Sequence, residues 1–307
     1  MTFDVYAFRF QFVARDRIVF PPGGPANILR GAFGGALRRL ACAPHCPGFE
    51  GASVRACELR HTCEYARIFE PGAPGAGPSG LGDWPRPFVL RASHLDGCAI
   101  APGQPFWFGV NLFETRRPIV DHFSRAFAEL GRGGFGPGRG RAELASVEQT
   151  DCGGRATDGS PISIPLEPRH MESRRVRVEF LTPTELKSGP APVATPEFGV
   201  LFARARDRVS TLRALYGAGP LDVDFRALGE RAGAVKMVRC ELRQVEAKRR
   251  SSRTGQVHGL GGLVGLAEYE GELGEFLPFL EAARWTGVGR QCVWGKGEIR
   301  ARVILNS

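Results

Sequence analysis

Phe8-Arg9-Phe10-Gln11-Phe12 alternates aromatic and polar side chains, the period of two that turns every second residue toward one face of a strand. The strand is read as Phe3 to Val13. Beyond the breaker Pro21-Pro22-Gly23-Gly24, the residues Leu29, Phe33, Leu37 and Leu40 recur every three to four positions with Arg30, Arg38 and Arg39 between them. That spacing predicts a helix over Ala26 to Ala41. Strands are expected at Pro87 to Ala92 and Phe106 to Phe113, a helix at Pro118 to Leu130 through Ile119, Phe123, Phe127 and Leu130, and a closing strand near Arg141 to Val147.

The second half repeats this order. Arg177 to Leu181 reads as a strand stopped by Thr182-Pro183-Thr184, and Phe198 to Tyr216 as a helix carrying Leu201, Val209, Leu212 and Leu215. Val235 to Val245 and Leu260 to Leu273 read as two strands around the basic tip Lys248 to Gly255. Phe276 to Ala283 is a short helix and Glu298 to Leu305 a closing strand. Each half reads βαββαβ, the order of a four-stranded antiparallel sheet with two helices on one face. The expected class is α+β: two tandem ferredoxin-like (RRM-like) domains, 1–150 and 173–307, joined by a linker over 151–172. A Cys-rich insertion occupies about 42–85 of the first.

Hydrophobic residues make up 43% of the 307 and charged residues 24%, which excludes a disordered chain. No run of 18 apolar residues is present, and the first twelve residues lack a signal-peptide pattern. The expectation is a soluble, cytoplasmic protein with no membrane partner. The 41 basic and 32 acidic residues leave a net charge of +9. Only four of the basic residues are lysine; an arginine excess suits phosphate contacts, but a GC-rich genome also produces one, so placement decides more than the total. Lys236 to Gln256 holds seven basic residues against Glu241 and Glu246. That stretch is a patch suited to a polyanion.

Gly287-Val288-Gly289-Arg290-Gln291-Cys292-Val293-Trp294-Gly295-Lys296-Gly297 carries two Gly-x-Gly pairs with two cations inside. Glycine removes the Cβ atoms that keep backbone amides from a phosphate; glycines equally permit tight turns and close packing. It is neither a Walker A motif nor a dinucleotide fingerprint, because a strand follows. Gly-hydrophobic-Gly, five residues including a cation, then Gly-x-Gly, at the end of a duplicated ferredoxin-like chain, resembles the signature of the RAMP superfamily of CRISPR-associated proteins. The likeness is closest to the bacterial endoribonucleases that process precursor CRISPR RNA. It extends through Asn27 to Gly34, Leu37 to Leu40, Cys63-Glu64-Tyr65, Ile68-Phe69-Glu70, Arg86 to Leu90, Gly131 to Arg141, Phe180 to Thr184, Arg250 to Arg253, Gly262 to Gly265 and Tyr269-Glu270-Gly271.

That resemblance implies metal-independent cleavage within CRISPR repeats. The ribose 2′-hydroxyl attacks the adjacent phosphate and leaves a 2′,3′-cyclic phosphate and a 5′-hydroxyl; no cofactor is needed. In such enzymes the active site lies near the first helix of the first domain, facing the glycine-rich loop of the second. His45 follows that helix and is the candidate general acid or base, Arg30 the candidate phosphate stabiliser, and His258, beside the basic tip, a further acid-base candidate. Lys248, Arg249, Arg250 and Arg253, with Gly287, Gly289, Arg290, Gly295, Lys296 and Gly297, are the candidate RNA contacts. The remaining histidines, apart from His61, read as surface or packing residues. CRISPR repeat RNA is the expected partner, together with other CRISPR effector subunits or a second copy of the chain.

Cys42, Cys46, Cys57 and Cys63 fall within 22 residues. Four thiolates of a cytosolic chain suit a structural Zn²⁺ better than disulfides, although the spacing departs from paired knuckles and leaves buried thiols as the other reading. The rival functional reading is a non-catalytic RAMP subunit that binds CRISPR RNA in an effector complex. An enzyme acting on a small phosphorylated metabolite is disfavoured, since no carboxylate or nucleotide motif accompanies the loop.

Overall fold

A computed structural model describes residues 1–42, 57–72, 77–78, 81, 83–157, 159–170, 174–189, 191–250 and 257–305. The chain divides into two units, the first of residues 5–162 with 215–217 and the second of residues 1–4, 163–214 and 218–307. The short segment 215–217 goes with the first unit because Tyr216 is tied there. Its carbonyl accepts from the Thr115 amide at 3.1 Å, and its hydroxyl donates to the Pro85 carbonyl at 2.7 Å.

The first sheet contains β1 (Thr2–Ala14), β2 (Phe88–Arg91), β3 (Pro105–Leu112) and β4 (Ala142–Thr150) in the spatial order β2-β3-β1-β4. Helices α1 (Pro25–Cys42) and α3 (Val120–Gly133) belong to this unit, with the short α2 (Glu64–Phe69) between them in sequence. Every pairing along that path is antiparallel, with Phe10 opposite Phe108 and Phe12 opposite Phe106. Aromatic rings fill the space under the helices. Phe127 of α3 meets Phe10 at 4.9 Å and Phe108 at 4.8 Å, and Phe33 of α1 stacks on Phe123 at 4.3 Å. Edge-on and offset rings of this kind add directional contact to apolar burial. Strand β1 buries first Phe3, Val5 and Ala7 and then Phe10, Phe12 and Ala14, so the buried face changes side along the strand and Phe8 stays half-exposed.

A fifth strand of the first sheet, β5 (Ile162–Pro165), pairs with β1 where the chain passes into the second unit, and the Ser163 hydroxyl donates to Asp4 Oδ1 at 2.7 Å. The main sheet of the second unit is β7-β10-β6-β11, built from β6 (Arg175–Thr184), β7 (Lys236–Val245), β10 (Gly262–Glu270) and β11 (Ile299–Val303), all antiparallel. Helices α4 (Phe198–Tyr216) and α6 (Leu277–Thr286) occupy the two positions expected from the repeat. The apolar core gathers Phe198, Phe202, Phe276 and Tyr269. Two ferredoxin-like units are therefore present, as the element order implies.

Among the described residues of the second unit, one helix is additional. α5 (Phe225–Gly233) follows Asp224, whose carboxylate accepts from the Arg226 and Ala227 amides. An N-cap of this kind satisfies amide groups that the first turn leaves unpaired. Only Leu228 and Ala232 of this helix are buried, too few apolar positions to register as a helical period. No described helix is long and apolar enough to cross a membrane.

Candidate nucleic-acid interface

Strand β6 ends in Thr182-Pro183-Thr184 and leads to Glu185, and the glycine-rich segment closes around this end. The Val288 amide donates to the Gly297 carbonyl at 2.8 Å, Gly297 to Pro183 at 3.2 Å, and Arg290 to Glu185 at 3.1 Å. The glycines are required by close approach. A Cβ on Gly289 would lie 2.3 Å from the Glu185 carbonyl oxygen, and one on Gly297 2.1 Å from that of Val288. Both have positive φ, as do Gly287 and Gly295. These glycines thus serve turns and packing, and the amides of Val288, Arg290 and Gly297 are engaged by protein carbonyls rather than held open for a phosphate.

The two cations of the loop separate. Arg290 is 55% exposed and pairs with Glu185 at 3.0 Å. Lys296, expected among the RNA contacts, is only 3% exposed. Its ammonium donates to the Gly261 carbonyl at 2.7 Å and to Gln291 Oε1 at 3.0 Å, with Glu185 at 3.8 Å. Burial lowers its pKa from the usual lysine value, and Glu185 opposes that shift. Lys296 does not reach outward because a buried ammonium needs acceptors, and three lie around it. Gly261 precedes β10 at the base of the basic hairpin. Lys296 therefore ties together three separate stretches of sequence: the end of β6, the hairpin base and the glycine-rich loop. Neither Glu185 nor Gln291 carries a sequence signal for this role, because the role exists only through this nonlocal contact.

The hairpin extends past β7 and β10 as β8 (Lys248–Arg250) and β9 (Val257–Gly259), with Arg249 opposite His258 and Lys248 opposite Gly259. The backbone thus places Lys248, Arg249 and Arg250 on one strand, with His258 opposite Arg249 on its partner. Arg253 lies outside the described residues.

In the first unit, Arg30 sits on α1 at 9% exposure with its guanidinium carbon 4.5 Å from the centre of the Phe69 ring. Gly34, one turn on, lets that ring approach, since a Cβ there would lie 2.2 Å from it. His45 and Cys46 lie outside the described residues. Cys42 is buried, Cys57 and Cys63 are half-buried, and no group of three or more metal-ligating side chains occurs among the described residues. The three described cysteines do not by themselves form the expected zinc site.

His122, read from the sequence as an ordinary packing histidine, belongs to a cluster. Its Nε2 is 3.5 Å from Glu64 Oε2, and Glu64 also receives Arg67 and Arg117, while buried Glu114 lies 3.7 Å from Arg67. Burial lowers the His122 pKa below its ordinary value, with Glu64 opposing and Arg125 and Arg67 adding to the shift. On the second sheet, Arg177 donates twice to Glu268 and holds that carboxylate below the usual range.

Residues 3–167 match the family model AF_1859_N, an N-terminal domain, and residues 178–299 match that of the CRISPR-associated endoribonuclease Cas6. The fold is also that of a Cas6 (TTHB231) product complex, at 20% identity and a TM-score of 0.60, covering 98% of this chain and 100% of that one. Thermus thermophilus Cas6 (TTHB231) gives 18% identity and 0.54 over 98% and 99%. A partial Cas6-RT-Cas1–Cas2 complex gives 11% identity and 0.57, over 98% of this chain and 46% of that one. No curated protein matches in sequence. Residues 178–299 thus resemble the CRISPR-associated endoribonuclease Cas6 in sequence, and the chain shares the fold of Cas6 structures over nearly its whole length.

Proposed function

We propose that the chain cuts precursor CRISPR RNA within its repeats without a metal ion. The carrying observation is the Cas6 endoribonuclease model over 178–299. The likeness in fold to a Cas6 product complex over nearly the whole chain supports it. In the proposed step the ribose 2′-oxygen loses its proton to a base and bonds to phosphorus. The bond from phosphorus to the 5′-oxygen breaks, and an acid protonates the leaving oxygen, giving 2′,3′-cyclic phosphate and 5′-hydroxyl ends. His45, three residues beyond α1, serves as acid or base, with His258 the second candidate. Arg30 stabilises the phosphorane-like charge; a guanidinium so sparingly hydrated exerts a stronger field on an anion brought beside it.

Lys248, Arg249, Arg250, Arg253 and Arg290 contact RNA phosphates, while Lys296 and the loop glycines hold the surface from which Arg290 projects. The similar fold in a Cas6-RT-Cas1–Cas2 complex supports other CRISPR proteins as partners. The test is cleavage of repeat RNA in EDTA with analysis of the new ends. Cyclic phosphate ends and a rate at least about a hundredfold lower for His45→Ala are expected, the span of one acid-base group. Cutting that requires added Mg²⁺ overturns metal independence. RNA that is bound but never cut makes the chain a binding subunit.

A further inference from the structure

Phe10, Phe12, Phe106 and Phe108 face the helices of the first unit, so the register places Arg9, Gln11, Trp107, Gly109 and Arg91 on the opposite face. Trp107 is 38% exposed there, a large aromatic ring on a central strand. The Arg9 guanidinium carbon lies 4.5 Å from the centre of that ring, and His94 stacks on it with centroids 4.0 Å apart. His94 Nε2 is 2.9 Å from the Trp107 carbonyl oxygen. A carbonyl only accepts, so Nε2 carries the proton and the imidazole is pinned against the indole. In the adjacent row Arg91 and Arg9 flank Gly109, which presents only backbone between two cations. Glu148, across from Arg9 on β4, already accepts from the Ser146 hydroxyl at 3.1 Å.

We propose that this face is a stacking platform for one unpaired base of an RNA substrate, with Trp107 supplying the ring and Arg9 and Arg91 the phosphate contacts. It rests on the RNA-processing reading above. Four-stranded sheets that bind RNA stack bases on aromatic rings of their open face, and Trp107 on β3 and Arg9 on β1 occupy the two central strands. In the Arg9–Trp107 contact the indole is exposed and the arginine half-exposed, and a cation–π pair so hydrated is weaker than base–aromatic stacking. An incoming base therefore displaces the guanidinium, which is then free to meet the adjoining phosphate. Stacking tolerates any base, so the platform orders the strand without reading its sequence.

The experiment is titration of the full chain with a short oligoadenylate, read by tryptophan fluorescence and by filter binding. Wild type is expected to show quenching. Trp107→Tyr should lose the quenching but bind within about threefold of wild type. Trp107→Ala should lose the quenching and bind about tenfold more weakly, within the span of one lost base stack. Arg91→Ala, which leaves the indole in place, should reduce the salt slope by about 0.7. Equal affinity and equal quenching in wild type and Trp107→Ala overturn the proposal and leave the face to a protein partner. The RNA-processing reading fails in the cleavage assay and this one in the titration, so the two failures are told apart.

Discussion

Lys296 shows how far a single buried cation reaches. Replacing it with methionine keeps its volume and removes the donors to Gly261 and Gln291, so Lys296→Met should cost about 1–3 kcal/mol, the penalty for buried acceptors left unpaired. Chemical denaturation measures that loss, and RNA binding should weaken with it because the loop and the hairpin base lose their common anchor. Its pH behaviour follows from the lowered pKa. Between the folded pKa and the higher unfolded one, the unfolded chain holds more protons, so this group adds stability as pH rises into the alkaline range. His122 acts by the same rule at lower pH. Its folded pKa lies below the ordinary value, so its contribution is present above about pH 6.5 and is lost as pH falls below that value. His122→Asn should therefore show a flatter fall in Tm on acidification than wild type. An equally steep fall would show that the neutral imidazole is not what the cluster favours.

At the scale of elements, the basic hairpin makes the clearest claim. Lys248, Arg249 and Arg250 occupy one strand, β8, and each phosphate contact contributes about 0.7 to the slope of log affinity against log salt for single-stranded RNA. Replacing all three with alanine should weaken binding and flatten that slope by about two, measured by filter binding across a salt series. An unchanged slope would mean these charges are solvated away from RNA. The elements themselves were legible wherever apolar residues kept a regular period. α4 spans Phe198–Tyr216 as read from the sequence, and α1 differs by one residue at each end. α5 was not legible because only two of its nine residues are buried.

At the scale of the whole molecule, repetition carried the reading. Matching periods in two halves pointed to two ferredoxin-like units, because strand and helix periods are local properties of neighbouring side chains. The family signature was legible for a related reason, since glycines at fixed spacing leave a trace in the chain itself. What those glycines do was settled only by folding. Cβ atoms at 289 and 297 are excluded by carbonyls of Glu185 and Val288, and which of two loop cations is buried depends on acceptors at 185, 261 and 291. The exposed face of Trp107 and the surroundings of His122 arose in the same way. Periods and spacings along the chain were enough for the fold class, the doubling and the resemblance to Cas6, whereas the role of each polar side chain emerged only on folding, because burial and charge pairing are set by residues distant along the chain.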